Sequence, residues 1–161
     1  MKAVDTGPTP TTPGARVLYV EDVHDNFVVT EMHLRKRYRL DWASSDRMAL
    51  DKLRTSPSGY AAILMDIELN GAAMDGIQLT RLLSGQLSDA DVPAFARGLP
   101  PIRTPILFVT AYGSRYTEAE LKQAGGSGVV LKPVNFITLS LALARLAIRQ
   151  TDHLLGNAPA K

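Results

Sequence analysis

Apolar runs and turn signals alternate along this chain at a spacing that predicts five strands and five helices. Arg16-Val17-Leu18-Tyr19-Val20 is short and rich in β-branched and aromatic residues, and reads as a first strand. Asp25 or Asn26 is placed to cap a helix reaching to about Tyr38. Arg39-Leu40-Asp41-Trp42-Ala43 follows as a second strand, with Trp42 packing on a sheet edge. Ser44 or Ser45 caps a second helix through about Arg54, with Met48, Ala49 and Leu53 at helical spacing. After the breaker Ser56-Pro57-Ser58-Gly59, the run Ala61-Ala62-Ile63-Leu64-Met65 is continuously apolar and ends on one carboxylate, Asp66. Such a run fits a central parallel strand covered on both faces.

Beyond Asp66, Ile77, Leu79, Leu82 and Leu83 suit a third helix. The segment from Gly85 to Arg103 holds three prolines and two glycines and reads mainly as a loop. It is long for a compact α/β connection, and is expected to be dispensable for folding. Pro105-Ile106-Leu107-Phe108-Val109-Thr110 is a fourth buried strand. Thr117 to Ala124 forms a short fourth helix stopped by Gly125 and Gly126. Val129-Val130-Leu131 is a fifth strand closed by Lys132-Pro133, and a last helix runs from about Asn135 to about Gln150. Alternation of this kind predicts an α/β fold: a doubly wound, five-stranded parallel sheet of order 2-1-3-4-5, flavodoxin-like, with helices on both faces. The expected organisation is a Pro- and Thr-rich tail or linker over 1–14, one domain over 15–150, and a polar tail over 151–161.

Composition changes this picture little. With 161 residues there is one domain's worth of chain, and 45% hydrophobic with 21% charged residues is ordinary for a globular protein. A net charge of +2 gives no case for nucleic acid or a membrane surface. The densest basic run, Arg35-Lys36-Arg37-Tyr38-Arg39, falls where the first helix should end, and cations suit that position. Cysteine is absent, which removes disulfides, zinc-thiolate sites and thiol nucleophiles. His24, His33 and His153 show no ligand spacing. No signal peptide or long apolar segment is visible, so the expected location is the cytoplasm.

The candidate chemistry comes from strand ends. Glu21/Asp22, Asp66, Thr110 and Lys132 close strands 1, 3, 4 and 5, which the predicted order makes neighbours. Three carboxylates without a histidine cluster make a hard, oxygen-rich site suited to Mg2+. A lysine and a hydroxyl opposite the metal complement a phosphoryl group, whose transfer needs in-line positioning and charge neutralisation above all.

At these residues the chain resembles the receiver domain of bacterial two-component response regulators, over about residues 15–150. The motifs are Val20-Glu21-Asp22, Ile63-Leu64-Met65-Asp66 with Met74-Asp75-Gly76 behind it, Phe108-Val109-Thr110-Ala111, and Leu131-Lys132-Pro133. The resemblance implies that Asp66 is the nucleophile, taking a phosphoryl group from a histidine of a sensor histidine kinase or a histidine phosphotransfer protein. It implies Asp22 as a direct Mg2+ ligand, Glu21 acting mostly through metal-bound water, and the Glu68 backbone carbonyl completing the set. Lys132 is the implied counter-ion of the phosphoryl group and Thr110 its hydroxyl donor. The chain is then a phosphoacceptor that catalyses its own phosphorylation and slow dephosphorylation rather than an enzyme with an external turnover.

Two departures from the family pattern stand out. Val129 occupies the strand-five position that usually holds an aromatic switch, and Asn70-Gly71-Ala72-Ala73 replaces the usual proline after the acceptor. The switch is therefore expected to run through the Thr110–Tyr116 loop, with Tyr112 and Tyr116 supplying mobile bulk. The final helix is apolar around more than one face, and its surplus suits burial against the first helix, a downstream protein partner or a second copy. The leading expectation is a stand-alone receiver signalling by phosphorylation-dependent binding. The alternatives are a phosphorelay intermediate, a receiver from a hybrid kinase, and a pseudo-receiver that never turns over phosphate. A haloacid-type phosphohydrolase is disfavoured, since its second aspartate is here Glu68.

Overall fold

The computed structural model describes residues 14–111 and 115–156. Five strands and five helices alternate: β1 (Ala15–Val20), α1 (His24–Leu34), β2 (Tyr38–Ala43), α2 (Asp46–Thr55), β3 (Ala62–Met65), α3 (Gly76–Leu83), β4 (Ile106–Thr110), α4 (Glu118–Gln123), β5 (Gly128–Leu131) and α5 (Phe136–Leu154). The strands form one parallel sheet in the order β2-β1-β3-β4-β5, as the pattern predicts. Register places Leu18 beside Ile63, Val20 beside Met65, and Thr110 beside Leu131.

The period of two along each strand divides the core into two layers. Leu18, Val20, Ile63, Met65 and Phe108 face α2, α3 and α4, against Leu50, Leu53, Leu79, Leu83 and Leu121. Val17, Tyr19, Leu64, Leu107, Val109 and Val130 face α1 and α5, against Leu34, Leu139, Leu143 and Leu146. At the amino edge of the sheet, Arg16 pairs with Asp41, whose carboxylate also accepts the Tyr60 hydroxyl at 2.8 Å.

Three expectations are corrected. Helix α1 starts at His24 behind an extended Val23, with no side-chain cap, so neither Asp25 nor Asn26 caps it. It ends at Leu34, not near Tyr38, because the buried Tyr38 opens β2 in register with Ala15 and packs in the α1/α5 layer. Arg35, Lys36, Arg37 and Arg39 remain exposed, as a solvated helix end requires. Helix α5 begins after Asn135, whose side chain accepts the Ile137 and Thr138 amides, and continues through Leu154 instead of ending near Gln150. The expected tail over 1–14 lies, apart from Gly14, outside the described residues.

The 85–103 segment is mainly loop, as expected, and it packs on the core. A 3₁₀ turn, Ala94–Ala96, buries Ala96, while Leu87, Val92, Phe95, Leu99 and Ile102 pack against the α2/α3 layer. Arg47 lies 4.0 Å above the Phe95 ring, and Arg54 donates to the Phe95 carbonyl. Proline and glycine signals conceal this, because the apolar residues between them carry no helical or strand period.

Candidate functional site

At the carboxyl edge of the sheet, each predicted side chain is delivered by a strand end. Glu21 follows β1 by one residue and shares a face with Tyr19; it is fully buried. Asp66 follows β3 and its amide donates to the Val20 carbonyl at 3.0 Å, so the two strand exits advance in step. Glu21, Asp22 and Asp66 each offer an oxygen within 4.8 Å of the others. Lys132 follows β5 and extends its ammonium to Glu21 Oε2 at 2.6 Å and Asp66 Oδ2 at 2.9 Å. Thr110 is fully buried at the end of β4, and its carbonyl accepts the Lys132 amide at 2.9 Å. The Lys132–Pro133 peptide is cis. Glu68 stands apart: its side chain is exposed, and with Asn70, Asp75, Arg115 and Tyr116 it lines a cleft of about 280 Å³.

The approach of α3 to Asp66 explains Gly76. The Gly76 amide donates to the Ile67 carbonyl at 2.8 Å, and a Cβ at this position would fall 1.9 Å from the Asp66 carbonyl oxygen. Only glycine lets the helix start so close beneath the strand exit. Asp75 caps α3, accepting the Gln78 amide at 2.8 Å while Gln78 reaches back to the Asp75 amide at 3.0 Å.

Electrostatics follow from this crowding. Burial pushes the Asp66 carboxyl up to about 6; Lys132 opposes the rise, and the neighbouring charges of Glu21 and Asp22 add to it. Burial works to lower the Lys132 ammonium, but its bonds to Glu21 and Asp66 prevail and carry it above the ordinary lysine value. Burial, reinforced by Glu21, raises the Tyr19 phenol and keeps it a donor.

Several contacts carry no sequence signal. Asn70 donates through its amide and its side chain to Asp22 Oδ2, at 3.1 and 2.9 Å. Asp46, almost fully buried, accepts the Met74 amide at 2.9 Å and ties the loop after Asp66 to the first turn of α2. The Tyr19 hydroxyl donates to Glu21 Oε2 at 3.1 Å and the Val23 amide to Oε1 at 3.0 Å. Trp42, on the edge strand as expected, donates its indole N–H to the Glu21 carbonyl at 2.7 Å and lies against His24 and Phe27. Tyr112 lies outside the described residues; Tyr116 is half-buried against the α2/α3 layer, as is Val129.

The donor set consists of oxygen atoms alone; burial raises the pKa of Asp66 and its neighbours Glu21 and Asp22 add to the rise, and a hard divalent cation would relieve that repulsion. The residues therefore fit Mg2+. Among the described residues, no helix is long and apolar enough to cross a membrane.

Comparison with known proteins agrees with this geometry. The model of the response regulator receiver domain matches residues 17–144. The chain is 28% identical over 140 residues to the transcriptional regulatory protein ZraR of Klebsiella oxytoca. It is 29% identical over 120 residues to the autoinducer 2 sensor kinase/phosphatase LuxQ of Vibrio parahaemolyticus. These alignments cover 84% and 74% of this chain but only 28% and 12% of those two proteins. Among solved structures, the receiver domain of the sensor histidine kinase PA1611 from Pseudomonas aeruginosa, which has magnesium coordinated in its active-site cleft, is 29% identical with a TM-score of 0.64. The match covers 83% of this chain and 98% of that one. The receiver domain of NtrX from Brucella abortus shares the fold at 19% identity and a TM-score of 0.64, over 81% of this chain and 97% of that one. A strand-end aspartate held by a lysine, beside two further carboxylates and inside a family match spanning most of the sequence, establishes that this chain belongs to the response regulator receiver domains of two-component systems.

Proposed function

We propose that Asp66 is the phosphoacceptor and that a sensor histidine kinase or a histidine phosphotransfer protein is the donor. The observation that carries this reading is the Lys132 ammonium at 2.9 Å from Asp66, with Glu21 and Asp22 gathered beside it. An Asp66 carboxylate oxygen attacks phosphorus in line with the phosphohistidine bond. The P–N bond breaks, its electron pair stays on the imidazole, and that ring takes up a proton as it leaves. An acyl phosphate then stands on Asp66. Lys132 neutralises one phosphoryl oxygen, and the Thr110 hydroxyl donates to another.

Mg2+, when bound, supplies the remaining charge neutralisation. Asp22, Asp66 and the Glu68 carbonyl are its proposed ligands. Glu21 acts through water: Tyr19 and Lys132 occupy its Oε2, while Oε1 accepts the Val23 amide and keeps a second lone pair for the hydrogen of a metal-bound water. The reading carries with it a cytoplasmic location and a downstream protein bound according to phosphorylation. The exposed stripe Ile137, Leu141 and Ile148 of α5 is the surface proposed for that partner or for a second copy.

A second reading, as an intermediate of a phosphorelay, is favoured by the likeness to LuxQ and to the PA1611 receiver, both parts of sensor kinases. Incubation with acetyl phosphate and Mg2+ followed by intact-mass measurement tests the site. One alkali-labile phosphoryl is expected, absent from Asp66→Asn and absent in chelator. Full labelling of Asp66→Asn would reject the assignment. Rapid loss of the label to a histidine phosphotransfer protein would select the relay.

A further inference from the structure

The Glu21 carboxylate has no exposure to solvent, and three protein groups donate to it. Oε1 accepts the Val23 amide at 3.0 Å; Oε2 accepts the Tyr19 hydroxyl at 3.1 Å and the Lys132 ammonium at 2.6 Å. Lys132 therefore lies closer to Glu21 than to Asp66, at 2.9 Å. A carboxylate bound on both oxygens in this way serves as an anchor for a cation.

We propose that Tyr19 and Glu21 form a resting dock for Lys132, in which Tyr19 is a positioning residue that holds the Glu21 carboxylate in the orientation from which Lys132 meets the incoming phosphoryl group. This inference rests on Asp66 being the phosphoacceptor.

Two observations set Tyr19 apart from ordinary core packing. Its strand position faces the α1/α5 layer among Val17, Leu64 and Val109, where an apolar side chain would satisfy the packing. A phenol buried there needs a hydrogen-bond partner. The Thr30 side chain also reaches this hydroxyl, and the acceptor of its proton is the carboxylate two residues on, on the same face of β1. The second observation concerns reach. A glutamate carboxylate swings on one more rotatable bond than an aspartate's, and donors on both oxygens fix that freedom. Tyr19 supplies one of them from within the rigid sheet, while Val23 supplies another from the turn. Asp22, a proposed direct Mg2+ ligand, is held separately, by Asn70, so it and the dock have different supports.

The test is Tyr19→Phe in the full chain, which keeps the ring and removes the hydroxyl. With acetyl phosphate at saturating Mg2+, the maximal phosphorylation rate should fall roughly ten-fold, while the half-saturating donor concentration and the calorimetric Mg2+ Kd stay within about two-fold. Without any phosphodonor, the Lys132 side-chain ammonium resonance in 15N NMR should shift or broaden. Added to Glu21→Gln, the same substitution should cause little further loss, since it acts through that carboxylate. An unchanged rate and an unchanged Lys132 resonance would reduce Tyr19 to packing and overturn the proposal. Parallel weakening of Mg2+ affinity and rate would overturn it as well, by placing the effect on the metal site. If wild type takes no phosphoryl group while the Lys132 resonance still responds, the phosphoacceptor reading fails and takes the positioning role of Tyr19 with it, whereas the resting contact of Lys132 with Glu21 stands.

Discussion

To serve as the proposed phosphoacceptor Asp66 has to be deprotonated, and burial places it where being charged is unfavourable. Its folded pKa of about 6 lies above the ordinary value of 3.8, so the folded chain keeps a proton that an unfolded chain has released. The stability associated with that proton is present below about pH 4 and is lost as the pH rises through 6. Two consequences can be measured. At limiting Mg2+, the phosphorylation rate should rise with pH around a midpoint near 6, and saturating Mg2+ should move the midpoint lower by favouring the carboxylate. Asp66→Asn should raise the stability of the metal-free protein by about 1–3 kcal/mol at pH 7.5, with the gain vanishing near pH 4. A midpoint near 4 at limiting Mg2+ would show that neither burial nor the neighbouring carboxylates raise Asp66. Single residues also mark where sequence reasoning stops. Asp66, Glu21, Asp22 and Lys132 are legible because each sits at the end of an apolar run. The Asn70–Asp22 and Asp46–Met74 bonds span 48 and 28 residues with no periodic signal on either side.

Elements carry the second group of expectations. The 85–103 segment looks like a dispensable loop in sequence, yet Phe95 bridges to α2 through Arg47 and Arg54, and Ala96 enters the core. Replacing residues 87–99 by a short Gly-Ser linker should uncover the α2/α3 layer and lower the Tm by about 5–10 °C in thermal melts. An unchanged Tm would mean that these contacts contribute nothing net. The switch is an element-scale question too. Val129 pairs with Phe108 in the sheet and lacks an aromatic ring, while half-buried Tyr116 precedes the capping box by which Thr117 and Glu120 start α4. Tyr116→Ala should therefore blunt the NMR shifts that phosphorylation produces in α4, and Val129→Ala should leave them nearly intact. The opposite pair of results would restore a signal through strand five. Helix α1 shows the limit of cap reading: its start is set by the Val23 backbone, which no side-chain rule identifies.

At the scale of the molecule, the fold is legible because continuous apolar strands and breaker-bounded helices leave one doubly wound solution, and the parallel order then brings four strand ends together. What the sequence hides is how the layers reach the site from behind. Tyr19 enters from the α1/α5 layer and Asp46 from α2, as residues whose type alone suggests packing or capping. The edge strand makes the same kind of connection. Trp42 is the only tryptophan in the chain, and its indole N–H is bonded to the carbonyl of Glu21, on the turn that bears Asp22. The protein thus contains its own optical probe: the emission of one indole is wired by a 2.7 Å bond to the backbone of the turn that bears Asp22, the proposed Mg2+ ligand. Titrating Mg2+ into unlabelled protein should change Trp42 fluorescence in a saturable way, and Asp22→Ala should flatten the curve. Emission that stays constant through Mg2+ saturation in wild type, with binding verified by calorimetry, would show that the turn holds still and that the edge strand is deaf to the site.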